Sequence, residues 1–321
     1  MILAVFALPV MALVVRGGAA LRGVTQDLPV PGASASNAAP SAGPGCGPDT
    51  CLQGGWAGAN LGVYDPEGAF AASPQVAIDH LYLHWEGDES GTLAEALEAI
   101  TAQERWPMLT LEPWPDRADG QDALLRDVAA GAYDARIVGI CTTLAAFDRP
   151  VLLRWGHEME LETGRYPWSN RDPGEYVAAY RHVVDRCRSV ASTIFYVWSP
   201  AGNAGLDRYW PGREYVDYVG LSIFSYPAWD VANFGRVRGF DENFAEKYAR
   251  VAGFDRPVLI AELGVTGEPA YQLSWIKEAW LGLPRYPLVR TVVYFNAVDT
   301  ELAWGAGYET PDWRIDPRVF E

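Results

Sequence analysis

The feature that most limits what this chain can fold into is a regular alternation of short apolar runs with amphipathic segments, which starts at Trp56. Each apolar run has the length of a buried strand, and the segment after it carries its apolar residues at helical spacing. Eight strands are predicted in this way, at Gly58–Tyr64, Ile78–Trp85, Pro107–Trp114, Val151–Trp155, Ile194–Trp198, Tyr218–Phe224, Val258–Ala261 and Val289–Phe295. Eight strand–helix units predict an α/β fold, a (β/α)8 TIM barrel. A doubly wound open sheet is the alternative, but no Gly-rich phosphate-binding loop follows any strand to support it.

The segments between the strands predict the outer helices of this barrel. Asp172-Pro173-Gly174-Glu175 is a strong helix start, because it offers an N-cap acceptor, a proline at the first helical position and a glutamate at the third. Helices are predicted at Thr92–Arg105, within Asp122–Phe147 as two helices, from Pro173 onward, near Phe244–Val251 and at Tyr271–Leu281.

The chain before the barrel has the composition of an export signal followed by a linker. Residues 1–15 are almost wholly apolar, too short for a comfortable membrane span but typical of the apolar region of a signal peptide. Basic residues do not precede them, so residues 1–23 are interpreted as a signal peptide or a short anchor. Residues 24–55 are rich in Gly, Ala, Ser and Pro and predict a disordered linker. We expect an exported protein that is periplasmic or extracellular and is either free or tethered to the membrane by its N-terminal segment. The barrel domain is expected at residues 56–321. The alternative is a cytosolic protein on which residues 1–55 form a mobile tail.

The charge of the chain restricts its partners. A formal net charge of −16 disfavours polyanions, so nucleic acid and anionic membrane surfaces are poor candidates, and no obligate membrane partner is expected. We expect a monomer. The 13 Trp and 16 Tyr are more informative. About half of them would fill the core, but several stand beside charged residues just past strand ends, where a flat ligand such as a sugar ring can stack.

The four cysteines form two pairs of different character. Cys46 and Cys51 flank a turn in the linker and can form a local disulfide. Cys141 and Cys187 lie on the apolar faces of two predicted helices, where a disulfide in an exported protein and two buried thiols are equally acceptable. Neither pair has the spacing of a zinc site with a supporting histidine.

The carboxyl ends of the eight predicted strands carry most of the chemically active side chains. In a barrel these ends meet at one face, where active sites are built. Carboxylates and tryptophans dominate the set, and lysine is almost absent, which suits a neutral, polyhydroxylated, ring-shaped substrate without a cofactor. The set comprises Asp65, His84, Glu86, Glu112, Trp114, Trp155, His157, Glu158, Trp198, Tyr226, Glu262, Asn296 and Asp299.

Two of these carboxylates fit the requirement of glycoside hydrolysis. One carboxyl group must deliver a proton to the leaving oxygen, and a second must be ionised to attack or to activate water. Glu158 and Glu262 are the best pair, because each directly follows an apolar strand and their strands lie across the barrel mouth. Glu112 is the third candidate and is expected to shape the site or bind sugar hydroxyls. Considered one at a time, each of these three glutamates could instead be a structural carboxylate that is paired with a basic side chain.

Four ordered motifs resemble glycoside hydrolase family 26. They span essentially all of residues 56–316 and are Val151-Leu-Leu-Arg-Trp-Gly-His157-Glu158-Met159 with Tyr166-Pro-Trp168, Met108-Leu-Thr-Leu-Glu112-Pro-Trp114, Pro257-Val-Leu-Ile-Ala-Glu262-Leu-Gly264, and Tyr294-Phe-Asn296 with Asp312-Trp-Arg314. The resemblance implies a retaining, clan-A barrel glycosidase of the β-mannanase and mixed-linkage β-glucanase type. Glu158 would be its acid/base and Glu262 its nucleophile, with His157 binding sugar or forming hydrogen bonds near the nucleophile.

The chain departs from the family pattern at two places. The family commonly has Asn-Gly after the His-Glu-Met triplet, where this chain has Glu160-Leu161. Its mannan-active members tend to have Asp-x-Tyr at the end of the sixth strand, where this chain has Ser222-Ile-Phe224. Tyr226 stands two residues later, on the same face of an extended strand, and is expected to supply the missing hydroxyl. The missing Asp favours β-glucan over β-mannan as the substrate of an endo-acting enzyme.

The remaining expectations concern substrate contacts. Arg154 and Tyr226 are expected to help keep Glu262 ionised. Five tryptophans are candidates to stack on sugar rings, with the strand-end residues Trp155 and Trp198 favoured: Trp114, Trp155, Trp168, Trp198 and Trp304. Hydroxyl contacts are predicted for Asp65, His84 and Asn296, for each of which a structural role is an equal alternative.

Two other classes of function compete with a glycosidase. A non-catalytic carbohydrate-binding barrel would use the same aromatic residues without needing both Glu158 and Glu262. A metal-dependent hydrolase would use His80 and His84, with Asp79 and Glu86 nearby, but no third histidine follows on a later strand. A Ser or Cys nucleophile is not supported, because the chain has no nucleophile-elbow motif.

Overall fold

The computed structural model describes residues 55–85, 90–115, 120–147 and 149–321. The predicted signal segment, the linker up to residue 54, the Cys46–Cys51 pair and Glu86 lie outside the described residues.

Eight parallel strands close into a barrel in chain order, with the last strand pairing to the first. The predicted fold class is therefore confirmed. The strands are β1 Asn60–Tyr64, β2 Val76–His84, β3 Trp106–Glu112, β4 Val151–Trp155, β5 Ile194–Trp198, β6 Tyr218–Ser225, β7 Val258–Val265 and β8 Val289–Phe295. Three strands have the bounds that their apolar runs predict, namely β4, β5 and β8, whereas β7 continues four residues beyond its predicted end and so includes Glu262.

The helices lie between the strands. They are α1 Ser90–Ala102, α2 Leu124–Ala129, α3 Asp134–Ala145, α4 Pro173–Arg188, α5 Pro227–Phe234, α6 Phe240–Ala252 and α7 Pro269–Gly282, with 3-10 turns at Leu206–Tyr209, Arg213–Tyr215, Leu283–Arg285 and Pro317–Phe320. Asp172 caps α4 as expected, since its carboxylate accepts hydrogen bonds from the backbone N–H groups of Gly174 and Glu175 at 2.8 and 3.1 Å. Helix α5 was not predicted. Within the described ranges, no helix has the length and apolar character needed to cross a membrane.

Alternation along β4 sorts its side chains between the barrel interior and the layer beneath the helices. Leu152 belongs to a small cluster that fills the barrel interior, and Arg154 reaches across to other strands. Val151, Leu153 and Trp155 belong to the larger cluster shared with the helices. Because successive residues of a strand face opposite sides, this parity decides which residues near the carboxyl end can reach a ligand.

A disulfide joins Cys141 of α3 to Cys187 of α4, with their Cα atoms 5.2 Å apart. Helix α3 precedes β4 and α4 follows it, and the two helices pack side by side. The sequence left open whether these two cysteines are paired, and the structure pairs them.

Candidate active site

Glu262 lies within β7 and is held by a buried guanidinium from the opposite side of the barrel. Arg154 on β4 is completely buried, and its Nη1 donates to Oε1 of Glu262. Nη1 also lies 3.4 Å from the hydroxyl of Thr110, and Nη2 lies 3.3 Å from that of Ser222. The predicted pairing of Arg154 with Glu262 is present in the structure. A charge buried so completely is tolerated because it is paired and hydrogen-bonded.

Burial and nearby side chains together set the protonation of Glu262. Burial raises its pKa above the ordinary value for a glutamate, and the guanidinium of Arg154 opposes that effect. The charge of Glu158 raises the pKa of Glu262 further, so the two carboxyl groups are close enough to interact electrostatically. The charge of Glu158 therefore acts on Glu262, and the role of the two carboxylates as a catalytic pair stays a prediction.

Tyr82 on β2 is a partner of Glu262 that the sequence did not reveal. Tyr82 lies close enough to Glu262 to lower the pKa of that carboxyl group, although the Tyr82 hydroxyl makes no hydrogen bond of normal geometry within the described residues. Burial raises the pKa of Tyr82 itself well above its ordinary value, so the phenol is protonated and neutral. Tyr82 lies in the middle of β2, away from any motif, and only the closed barrel places it opposite β7.

Tyr226 was expected to provide this hydroxyl, and that prediction is wrong. Strand β6 ends at Ser225, and Tyr226 stands at the start of α5, where the chain has turned away from the barrel. The hydroxyl of Tyr226 donates to the backbone oxygen of Glu309 at 2.9 Å. The prediction assumed that Phe224 and Tyr226 lie on the same face of one extended strand, and it fails because β6 ends before Tyr226.

Glu158 is presented by a tight turn directly after β4. Gly156 and Glu158 both have left-handed backbone conformations, with φ of 53° and 55°. The backbone N–H of Glu158 donates to the carbonyl of Ser199 at 2.7 Å, and the indole of Trp168 donates to the carbonyl of His157 at 2.7 Å. A glutamate in this conformation is strained and is retained only where its surroundings fix it, a situation common at active sites.

Glu112 at the end of β3 anchors a polar cluster beside this turn. Its Oε2 lies 2.7 Å from Nε2 of His84 and accepts a 3.1 Å hydrogen bond from the indole of Trp114. Nε2 of His157 is 3.8 Å from Oε1 of Glu112 and 3.1 Å from the hydroxyl of Tyr166. Burial lowers the pKa of His157 well below its ordinary value, so its ring is neutral. The structure thus brings His84, Glu112, Trp114 and His157 together at the predicted site.

Three of the predicted sugar-stacking tryptophans are buried, and their stacking role is wrong. Trp155, Trp168 and Trp198 expose 2%, 0% and 0% of their surface. Trp155 follows Arg154, which faces the barrel interior, so its own side chain must point outward to the helices. Each ring packs against other aromatic rings. Trp155 contacts Trp85, Tyr176 and Tyr180. Trp168 contacts Trp114 and Tyr166, and Trp198 contacts Trp210 and Phe254.

Asn296 and Asp65 form a brace between the ends of β8 and β1. The amide nitrogen of Asn296 donates to Asp65 at 2.8 Å, and its amide oxygen accepts from the backbone of Ile315 at 2.9 Å. Asp65 also accepts from the backbone N–H of Phe70 at 2.7 Å. Asn296 is buried with both ends of its amide engaged, so the prediction that it binds substrate hydroxyls is wrong. Asp65 has a structural role as well, because it accepts the hydrogen bond from Asn296 that links β8 to β1.

Trp304 remains a candidate for stacking, because it is half-buried. Its indole donates to Oδ2 of Asp299 at 3.0 Å, and the same oxygen accepts from Trp313 at 3.2 Å. Nη2 of Arg165, in the segment after β4, lies 3.4 Å from the other oxygen of Asp299. Asp299 therefore fixes the ring of Trp304 and links the segment after β8 to the segment that carries Glu158.

Glu160, where the chain departs from the family pattern, has a structural role. Its buried carboxylate accepts three backbone hydrogen bonds from the loop after β5, from Ala201 at 3.1 Å, Gly202 at 2.8 Å and Asn203 at 3.0 Å. Gly202 in turn packs against the aliphatic stem of Lys247, whose ammonium donates to the carbonyl of Ser222 at 2.9 Å. Glu160 thus ties the segment after β4 to the loop after β5.

Replacement of Glu160 tests this anchor. We expect Glu160→Gln to lower the free energy of unfolding by about 1–3 kcal/mol, because an amide group would face a backbone donor that then lacks an acceptor. Chemical denaturation of the full chain measures the change. The matched control is Glu162→Gln, an exposed position two residues away, which should change stability by less than about 0.5 kcal/mol. Equal effects of the two substitutions would contradict the anchoring role.

The residues of the alternative metal site are committed to other partners. Nε2 of His80 lies 2.7 Å from the hydroxyl of Thr110, and Asp79 forms an ion pair with Arg105 at 2.9 Å. His84 is bound to Glu112. Across the described ranges, no group of three or more His, Cys, Asp or Glu side chains is arranged to hold a metal ion.

Comparison with known proteins supports the resemblance predicted from the motifs. Residues 130–280 match the model of glycosyl hydrolase family 26, a range that includes both Glu158 and Glu262. The chain is 34% identical to "Beta-1,3-xylanase TXYA" of Vibrio sp over 226 residues, 61% of this chain and 46% of that protein. It is 29% identical to "Endoglucanase H" of Acetivibrio thermocellus over 253 residues, 74% of this chain and 26% of that protein. The aligned regions span less than half the length of these relatives.

A solved structure shares the fold. The GH26C protein of Muricauda sp. MAR_2010_75 superimposes with a TM-score of 0.57 at 13% sequence identity, covering 74% of this chain and 78% of that one. At this identity the likeness concerns the barrel architecture alone.

Proposed function

We propose that this chain, which resembles glycosyl hydrolase family 26 in its motifs and matches that family over residues 130–280, is a retaining β-glycoside hydrolase that cleaves a polysaccharide. One observation carries the proposal. Glu262 is buried between Arg154 and Tyr82, and it interacts electrostatically with Glu158 on the strained turn after β4. Such a pair of carboxyl groups in different environments is what an acid and a nucleophile need.

In the proposed mechanism, Glu158 donates a proton to the glycosidic oxygen while Glu262 attacks the anomeric carbon. The bond to the leaving sugar breaks, and a glycosyl-enzyme forms on Glu262. Glu158, now a carboxylate, takes a proton from water, which displaces Glu262 and releases a product with the original configuration. This sequence requires the two carboxyl groups to be about 5–5.5 Å apart in the reacting complex.

The surroundings of Glu262 suit the nucleophile. Arg154 and Tyr82 both favour its ionised form, against the effect of burial. Arg154 also holds the carboxylate in one orientation, so that little reorganisation is needed when it attacks.

For the substrate we propose an endo-cleaved β-linked polysaccharide, with mixed-linkage β-glucan first and β-mannan next. The endoglucanase relative supports a β-glucan, and the β-1,3-xylanase relatives add β-1,3-xylan to the set that should be tested. The apolar residues 1–15 support the further proposal that the chain is exported. Products from these polymers, separated by size, identify the substrate and the cleavage pattern.

Glu158→Ala tests the role of the acid/base. We expect polysaccharide turnover to fall about 10²- to 10⁴-fold, because a positioned proton donor contributes that much. An aryl glycoside whose leaving group needs no proton should still form the glycosyl-enzyme. Added azide should then yield a β-glycosyl azide, which NMR identifies, since Glu262 still reacts first. An α-configured first product from the wild-type chain would contradict retention.

A further inference from the structure

A row of half-buried aromatic rings leads from the nucleophile to the outside of the barrel. Tyr82, the partner of Glu262, lies 6.1 Å between ring centroids from Phe295, which lies 6.0 Å from Phe224. Phe224 lies 6.1 Å from Trp304, and Trp304 lies 5.6 Å from Trp229. All five side chains are partly exposed, unlike the fully buried Trp155, Trp168 and Trp198.

The outer end of this row lies on α5, the helix that follows β6 at the carboxyl end of the barrel. Trp229 lies 5.6 Å from Phe234, a ring that exposes 51% of its surface. The guanidinium of Arg238 stands 5.7 Å from the ring centroid of Trp229 and is fixed by a 2.8 Å ion pair with Asp230. The guanidinium of Arg238 also stacks on the ring of Phe234 at 3.9 Å, and both Trp229 and Phe234 keep part of their surface exposed.

Polar groups accompany the rings. The side-chain amide of Asn233 donates to the backbone oxygen of Trp229 at 2.8 Å and lies 3.3 Å from the hydroxyl of Tyr308. Tyr308 in turn lies 6.0 Å from Tyr226, which contacts Trp304 at 5.4 Å. An exposed ring bordered by amide and hydroxyl groups matches a sugar, which has one apolar face and a rim of hydroxyls.

We propose that Trp229, with Asn233 and Tyr308, forms a distal glycan subsite that binds a sugar unit of the polysaccharide remote from the bond that is cleaved. The inference rests on the proposed function for its substrate. A neutral glycan is the favoured occupant, because the rings continue the row that begins at Glu262 and lie at the same end of the barrel. The subsite makes the enzyme favour long chains over short ones.

The experiment compares Trp229→Ala with Trp280→Ala. Trp280 is a more exposed tryptophan, 45% exposed, on α7. In the first measurement, kcat/KM is determined for β-linked oligosaccharides of increasing length. In the second, affinity electrophoresis measures binding of Glu262→Ala chains, with and without each tryptophan substitution, to mixed-linkage β-glucan, β-mannan and β-1,3-xylan.

We expect Trp229→Ala to weaken binding of the polysaccharide about 2- to 10-fold, the effect of one lost ring contact. The loss in kcat/KM should grow with the length of the oligosaccharide. Trp229→Phe should retain most of the affinity, which shows that an aromatic face, rather than the fold, is what matters. Trp280→Ala should change neither quantity.

The two proposals fail separately. If Trp229→Ala changes neither binding nor long-chain turnover while Glu262→Ala abolishes activity, the subsite is rejected and the glycosidase stands. An equal loss for short and long substrates also rejects the subsite. If the wild-type chain cleaves no polysaccharide but its binding depends on Trp229, the subsite stands and the glycosidase is rejected.

Discussion

Glu262→Ala lowers kcat roughly 10⁴- to 10⁶-fold on every polysaccharide that the wild-type chain cleaves, the magnitude expected when a covalent nucleophile is removed. Without the carboxylate no glycosyl-enzyme can form, and the guanidinium of Arg154 loses the carboxylate with which it pairs. The effect is measured on initial rates of reducing-sugar release. Because Arg154 then keeps an unpaired buried charge, Glu262→Gln, which retains the shape of the side chain, should be measured in parallel with thermal unfolding of both variants.

Chemical rescue separates the role of Glu262 from that of Glu158. In Glu262→Ala, azide can occupy the space of the missing carboxylate and attack directly, so the product should be an α-glycosyl azide of inverted configuration. The β-glycosyl azide expected from Glu158→Ala has the opposite configuration at the anomeric carbon. Glu162→Ala, at an exposed position, is the control for activity. Wild-type rates in the Glu262 variants would reject this residue as the nucleophile.

Arg154→Met has the largest expected effect on stability. The substitution removes the guanidinium from a completely buried ion pair and leaves the carboxylate of Glu262 uncompensated. Breaking such a pair costs about 3–5 kcal/mol of the free energy of unfolding. Chemical denaturation at several pH values measures the loss.

The loss of stability in Arg154→Met should depend on pH. Burial already raises the pKa of Glu262, and Arg154 opposes that rise, so the pKa increases further in the variant. The deficit in stability is then largest at high pH, where Glu262 must be ionised, and it shrinks as the pH falls through the raised pKa and the carboxyl group takes up a proton. The acid limb of kcat/KM should move to higher pH, because the nucleophile is ionised only there.

Arg105→Met is the matched control for Arg154→Met. Arg105 is also buried and paired, with Asp79 at 2.9 Å, but it interacts with the loop after β1 rather than with Glu262. Its loss should destabilise the protein while the acid limb of kcat/KM keeps its position. An unmoved acid limb in Arg154→Met would show that Arg154 does not govern the protonation of Glu262.

The barrel and the positions of the two proposed catalytic carboxylates were predictable because they depend on local patterns. Buried parallel strands are continuous apolar runs, and the carboxylates that follow them must meet at one end of the barrel. Glu158 and Glu262 satisfy both conditions. Arg154 followed from the same reasoning, since it is a charged residue inside a buried strand and therefore needs a buried partner.

The errors arise where a side chain's role depends on where its element ends or on a distant partner. Trp155 and Trp198 are at strand ends, but the parity of the strand turns them toward the helices. Tyr226 would have faced the site had β6 continued, and the unpredicted helix α5 carried it away. Tyr82 has no local signal, because its partner is 180 positions later in the chain. The anchoring role of Glu160 likewise appears only when the loop after β5 is in place.

The disulfide between Cys141 and Cys187 encloses the part of the chain that carries Arg154 and Glu158. Residues 162–165, within that enclosed segment, are exposed and offer a protease an accessible place to cut. A single cleavage there would leave the two fragments covalently joined through α3 and α4, with the proposed acid/base Glu158 on one fragment and the proposed nucleophile Glu262 on the other. Under oxidising conditions a nicked molecule would therefore keep both halves of its catalytic pair, whereas reduction would leave them held together only by packing.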